Sequence, residues 1–154
     1  MWHTDGPKLP IEFARQSRDG RLTLVIYPKA NPVPTLWALF PQASLDQAVE
    51  ILRKRESTLT SKIGFLQKAG GQLNTQFPFV IEPIRAWLNA QPFEVVIWTD
   101  LEAKGFQNYN ETTVLDYLWH TADREKTREY IARAPSQIDT TMRKVIADSG
   151  FLNS

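Results

Sequence analysis

The chain has 154 residues, with 18 Lys and Arg against 17 Asp and Glu for a net charge of +1, and no cysteine. Near-neutrality argues against a nucleic-acid footprint, the lack of cysteine excludes disulfide and thiol chemistry and fits the cytoplasm, and no apolar run approaches the ~20 residues that cross a bilayer. The length suits one α+β domain, residues 1–154, with five Trp and eight Phe to fill its core.

The N-terminal residues 1–7 do not read as a signal peptide. Two prolines and a glycine between positions 5 and 10 make an extended lead-in. Residues 11–16 alternate loosely as a strand. Asp19-Gly20 is a tight-turn signal, and residues 21–27 (RLTLVIY) form a strand by β-branched and aromatic content. Residues 28–34 carry three prolines and read as a loop that cannot join a central sheet. Residues 35–40 (TLWALF) read as a third strand, stopped by Pro41.

The most informative stretch is 44–56. Ser44 is a helix cap with Gln47 three residues on, and Leu45, Ala48, Val49 and Leu52 share one face at i, i+3, i+4 and i+7. The next position on that face is Glu56. A carboxylate buried there would have its pKa raised and would suit proton transfer near neutral pH; at a frayed end it would simply be solvated.

Beyond it, 62–67 reads as a short strand, Gly70-Gly71 as a turn and 82–89 as a helix. Residues 93–99 (FEVVIWT) are the strongest strand, with an apolar run that suggests a central position covered on both faces. Asn110, Asp123 and Ser136 each cap a helix, and Gly150 stands where a C′ residue belongs. Strands first, one inserted helix and helices crowding the C-terminal end make an α+β pattern: a small mixed or antiparallel sheet, or an open barrel, with helices on one side.

Two histidines, His3 and His120, and no cysteine give no metal-ligand spacing, so no metal and no cofactor are expected. The nucleophile-elbow motif and the common phosphate-cradling glycine motifs are absent. His120 suits a helix C-terminus electrostatically. Asp100 and Glu102 follow the strong strand, where carboxylates serve sites but also sit commonly in solvated loops. Tyr27, Trp37, Trp98 and Tyr109 are candidates to line a pocket, although strand aromatics are ordinarily core.

The succession TLWALF, then SLDQAVEILRKRE, resembles the γ-glutamylcyclotransferase-like fold, which includes ChaC-type and AIG2-like proteins. In that family a strand feeds a helix ending in a pattern like L-D-x-x-E-G, here Leu52-Arg53-Lys54-Arg55-Glu56-Ser57. Arg53 replaces the Asp, Ser57 replaces the Gly, and the family's Tyr-Gly-Ser loop does not occur. The resemblance implies that Glu56 is the catalytic base, deprotonating a substrate α-amino group that closes a 5-oxoproline ring. It leaves two readings: a small-molecule binding module with Tyr27, Trp37 and Trp98 at its ligand, or a γ-glutamyl cyclotransferase. The pattern from Pro10 to Ile138 also resembles a family of uncharacterised bacterial proteins, which implies no function. No nucleic-acid or membrane partner is expected, the charged C-terminal helices read as ordinary solvated surface, and oligomeric state carries no sequence signal.

Overall fold

The Asp19-Gly20 signal is met directly. In a computed structural model of the chain, which describes residues 1–41 and 44–154, strands β1 (Lys8–Gln16) and β2 (Leu22–Ile26) pair antiparallel around it, with Ile11 opposite Ile26 and, past a register shift between Phe13 and Arg15, Gln16 opposite Leu22. Gly20 takes φ +84°, and the Ser17 amide donates to Arg21 O at 2.9 Å. The short β3 (Pro32–Pro34) lies at the edge in the order β2-β1-β3, where prolines cost no ladder hydrogen bond.

Helix α1 (Leu45–Arg55) follows, then β4 (Ile63–Gln67), β5 (Leu73–Asn74), α2 (Ile81–Asn89) and β6 (Val95–Thr99), and finally α3 (Glu111–His120), α4 (Arg124–Arg133) and α5 (Thr141–Asp148). Strands β4, β5 and β6 form a second antiparallel sheet in the order β5-β4-β6. The fold is therefore α+β, with two small three-stranded sheets that do not close into a barrel. Among the described residues no helix is long and apolar enough to cross a membrane.

The chain divides into two compact units, Met1–Lys8 with Pro34–Leu101, and Leu9–Val33 with Glu102–Ser154. In the first, Ala48 and Val49 of α1 are buried, as are Ile63 and Leu66 of β4, Ile84 and Leu88 of α2, and Phe77 and Val80 ahead of α2. In the second, Phe13 and Leu22 of the hairpin pack with Val114, Leu118, Ile131, Ile146 and Phe151 from the three C-terminal helices and the final turn. Two prepaid helix starts are visible there: Asn110 forms a reciprocal capping box with Thr113, and Asp123 accepts from the Lys126 amide at 3.0 Å.

Three expectations are corrected. Residues 35–40 form no strand; Trp37 makes only an isolated antiparallel bridge to His3, with N···O distances of 2.7 and 3.0 Å. Pro7 and Pro34 lack the N–H groups that a longer ladder would need. Strand β6 is an edge strand, half-buried along its whole length, and β4 is central. Its apolar run is satisfied by contact with α1 rather than by a second strand. The last helix begins at Thr141, with Thr140 Oγ1 accepting from the Arg143 amide at 3.1 Å. Residues near Ser136 are held instead by the Arg143 guanidinium, which donates to the carbonyls of Ile131, Ala134, Pro135 and Ile138.

Helix α1 starts as expected, with Ser44 Oγ accepting from the Gln47 amide at 3.2 Å. Its end carries the paired bonds of a Schellman motif: Thr58 N donates to Arg53 O at 3.1 Å and Ser57 N to Lys54 O at 3.2 Å. The C′ residue is Ser57 at φ 52°, a conformation that costs an L-residue ~1–2 kcal/mol and glycine nothing. Against this stands the extra freedom of an unfolded glycine, ~0.4–1 kcal/mol. Ser57→Gly is accordingly expected to stabilise the protein by roughly 0.5 kcal/mol, read as a higher urea midpoint at unchanged slope; a lower midpoint would contradict this account of the helix end.

Candidate functional site

Glu56 is the C-cap of α1, not a continuation of its buried stripe. The stripe ends at the half-buried Leu52, because the chain reverses at Ser57. The Glu56 side chain is 39% exposed, with Arg55 Nε 3.8 Å from Oε1. The expectation of a desolvated carboxylate at the end of the seam is thus corrected. Earlier on the helix, Glu50 is held below the usual carboxylate range by the Arg53 guanidinium, which donates to both of its oxygens.

The aromatic candidates do not form one pocket. Trp37 stacks on His3 at 4.1 Å between ring centroids and meets Trp87 and Phe93 at 5.7 and 5.1 Å. Asp5 fastens this cluster, accepting from Trp37 Nε1 at 2.7 Å through its carboxylate and from Trp87 Nε1 at 2.8 Å through its carbonyl. Trp98 lies elsewhere in the same unit, over Gly64, where a Cβ would come within 2.3 Å of the indole. Tyr27 belongs to the other unit and tilts against Tyr109 at 4.9 Å. Tyr109 donates to Phe13 O at 2.7 Å, and burial, the Glu12 carboxylate and Tyr27 push its phenol pKa up. Each of the three candidates packs against a neighbouring ring or backbone.

Asp100 is not a solvated loop residue but fully buried. Its carboxylate accepts from Thr75 Oγ1 at 2.8 Å, the Gln76 amide at 2.7 Å and Trp98 Nε1 at 2.8 Å. Glu12, also buried, accepts from the Phe13 amide at 2.9 Å and from the Met142 amide in the first turn of α5 at 3.1 Å. Both carboxylates hold backbone in place, as buried charges must when they are kept. His120 ends α3, with Nε2 3.8 Å from Asp116 Oδ1.

Two concavities among the described residues bear on a site. One is an open groove of about 680 Å³ along α3 and the start of α4, lined by Leu115, Asp116, Trp119, His120 and Arg124, with the Arg124 guanidinium 5.1 Å over the Trp119 ring. It is shallow and mixes both signs of charge.

The other is a more enclosed cleft of about 430 Å³ between the β4–β5 turn and α2. Gln67, Lys68, Arg85, Asn89 and the backbone of residues 69–71 line it, and the buried Leu66 and Leu88 back its floor. Arg85, Leu88 and Asn89 reach it together because i, i+3 and i+4 share a helix face. The turn is closed by Gly71 N donating to Lys68 O at 3.2 Å and Gln72 N to Gln67 Oε1 at 2.8 Å. Ala69 and Gly70 take φ 54° and 75°, and Gly71 has no room for a Cβ, which would lie 2.5 Å from Gln67 Cβ. The Lys68 amide donates to Glu94 O and its ammonium to Gln91 O, so the lysine is anchored beside the end of α2.

This cleft was not among the residues singled out from the sequence. Its legible signals were Lys68 beside Gly70-Gly71 and a helix face that puts Arg85 and Asn89 around Leu88. Among the described residues no group of three or more His, Cys, Asp or Glu could hold a metal ion. Comparison of the chain with family models, with curated proteins and with solved structures finds no match.

Asp100→Ala leaves three donors without their acceptor, and unsatisfied buried donors cost ~1–3 kcal/mol each. A loss of roughly 3 kcal/mol is expected in urea unfolding, and a loss below about 1 kcal/mol would contradict the role given to Asp100. Tyr109 and Tyr117 both have raised phenol pKa values, chiefly from burial. The folded state thus keeps protons that the unfolded chain releases near pH ~10, so stability is intact below that pH and falls as pH rises above it. Tyr109→Phe should flatten this alkaline slope; an unchanged slope would contradict it.

Proposed function

We propose that this chain is a small-molecule binding module whose ligand seat is the cleft between the β4–β5 turn and α2. The observation that carries this is the composition of the cleft: convergent polar groups from Gln67, Arg85 and Asn89 over a floor backed by the buried Leu66 and Leu88, and a closed turn at its mouth. Ligand sites are ordinarily concave, ~300–1,000 Å³ and largely pre-formed, with a few placed polar groups on an apolar lining. The walls here belong to β4 and α2, whose Ile63, Leu66, Ile84 and Leu88 are all buried, so the cleft is carried by packed elements.

The alternative is a γ-glutamyl cyclotransferase with Glu56 as base, which rests on the resemblance of the 52–57 stretch alone. The Glu56 side chain stands at the C-cap of α1, 39% exposed beside Arg55, and lines neither concavity described above. With γ-glutamyl dipeptides or glutathione as substrate, 5-oxoproline release is expected to stay at background and to be the same for Glu56→Gln. Release by the wild type that Glu56→Gln abolishes would overturn the binding-module reading.

The binding reading is tested by titrating ¹⁵N-labelled protein with a library of small polar fragments. Saturable shifts should concentrate on the amides of Gly70, Gly71 and Asn89. Fragments that bind only elsewhere, or not at all, would contradict it.

A further inference from the structure

We infer that the ligand of this cleft carries an oxyanion, phosphoryl or carboxyl, held chiefly by Arg85. This rests on the reading of the cleft as the ligand seat and adds the chemical class of what sits in it.

The argument is one of charge and unused donors. The cleft's polar lining holds two cations, Lys68 and Arg85, two side-chain amides, Gln67 and Asn89, and no carboxylate. In a chain with 18 basic and 17 acidic side chains, a concave surface of one sign is a local choice and not a consequence of composition. Arg85 is half-buried, and among the described residues it has neither an ion-pair nor a hydrogen-bonding partner. Arg53 is matched by Glu50, Arg133 by Glu129 and Arg143 by four carbonyls, while Arg128, half-buried and unpartnered among the described residues like Arg85, lines neither concavity described above. A guanidinium presents five donors in a planar fork that matches carboxylate and phosphate oxygens, and partial burial makes an anionic partner worth more than it is at an open surface.

The turn adds to this. Among the described residues the amides of Ala69 and Gly70 find no backbone acceptor, and Gly70, at φ 75°, has nothing within 4 Å of where a Cβ would stand, which leaves the approach to the turn backbone open. Lys68 commits one of its three donors to Gln91 O and keeps its charge beside the cleft. Cations on both β4–β5 and α2, with backbone N–H groups between, can surround an anionic group from more than one side. The phosphate-cradling motifs missing from the sequence achieve the same with a glycine loop and a helix N-terminus; here a hairpin turn faces the side of a helix.

The test titrates the full chain, ¹⁵N-labelled and in a cationic buffer free of other oxyanions, with inorganic phosphate, with acetate and with glycerol as the neutral probe. Saturable shifts at Gly70 and Gly71 with phosphate or acetate are expected, and whichever binds more tightly distinguishes a phosphoryl from a carboxyl ligand. Arg85→Gln should weaken binding at least tenfold while its melting temperature stays within a few degrees of wild type, and Arg85→Lys should recover part of the loss. Equal anion binding by wild type and Arg85→Gln, or shifts confined to lysines outside the cleft, would overturn the inference. Cleft shifts with glycerol but with neither anion would also overturn it and leave the binding-module reading standing; no cleft shifts with any probe would remove both.

Discussion

The first unit depends on one buried carboxylate. Asp100, with no exposed surface, ends β6 and accepts three hydrogen bonds, two of them from residues 75 and 76, which lead into α2. Its own carbonyl accepts from Gln76 Nε2 at 2.6 Å, and its amide donates to Lys62 O at 2.8 Å, ahead of β4. A single residue thereby ties together the end of β6, the start of β4 and the approach to α2. Because a buried charge is expensive unless fully hydrogen-bonded, each of these bonds constrains the others. The position of α2, and with it of Arg85 and Asn89 against the β4–β5 turn, follows from that constraint.

How much of this was legible in the sequence varies with the range of the interactions involved. Whereas the Schellman end of helix α1 was not read, its start and stripe were readable because the cap Ser44 and the face ending at Leu52 lie within nine residues. The same holds for the Asp19-Gly20 hairpin and for α3 and α4, whose caps are side chains bonding three residues ahead. Strand positions were less readable. The run in β6 looks central because an apolar strand is apolar whether a second strand or a helix covers it. TLWALF has strand composition, but its only partner is the proline-bounded N-terminal stretch, and pairing depends on the partner as much as on the strand. The two units are interleaved along the chain, so no linker marks where either begins.

The candidate site was hidden for a related reason. Glu56 drew attention because helical spacing extrapolates a buried face past its end, whereas the left-handed Ser57 turns the chain first. Asp100 read as a loop carboxylate, since burial at a strand end depends on residues 75 and 76, more than twenty positions away. The cleft residues lie in two stretches separated by thirteen residues of turn, helix and short strand, and only α2 packing on β4 brings them to one cavity. Trp37 and Trp98, chosen as pocket residues, spend their indole N–H groups on Asp5 and Asp100 and serve as fasteners.

What unites these features is that the buried carboxylates and most half-buried cations are matched among the described residues, whereas Arg85 and Arg128 are not. Glu12, Asp100, Arg143 and Lys68 each have protein partners, and of the two unmatched arginines Arg85 lines the half-open cleft. The most direct measurement is anomalous scattering from crystals of the full chain soaked in tungstate, a heavy tetrahedral oxyanion. The account expects an ordered peak in the cleft within hydrogen-bonding reach of Arg85 and the 69–71 turn. Peaks confined to other parts of the surface, with Arg85 paired to a neighbouring side chain, would contradict it.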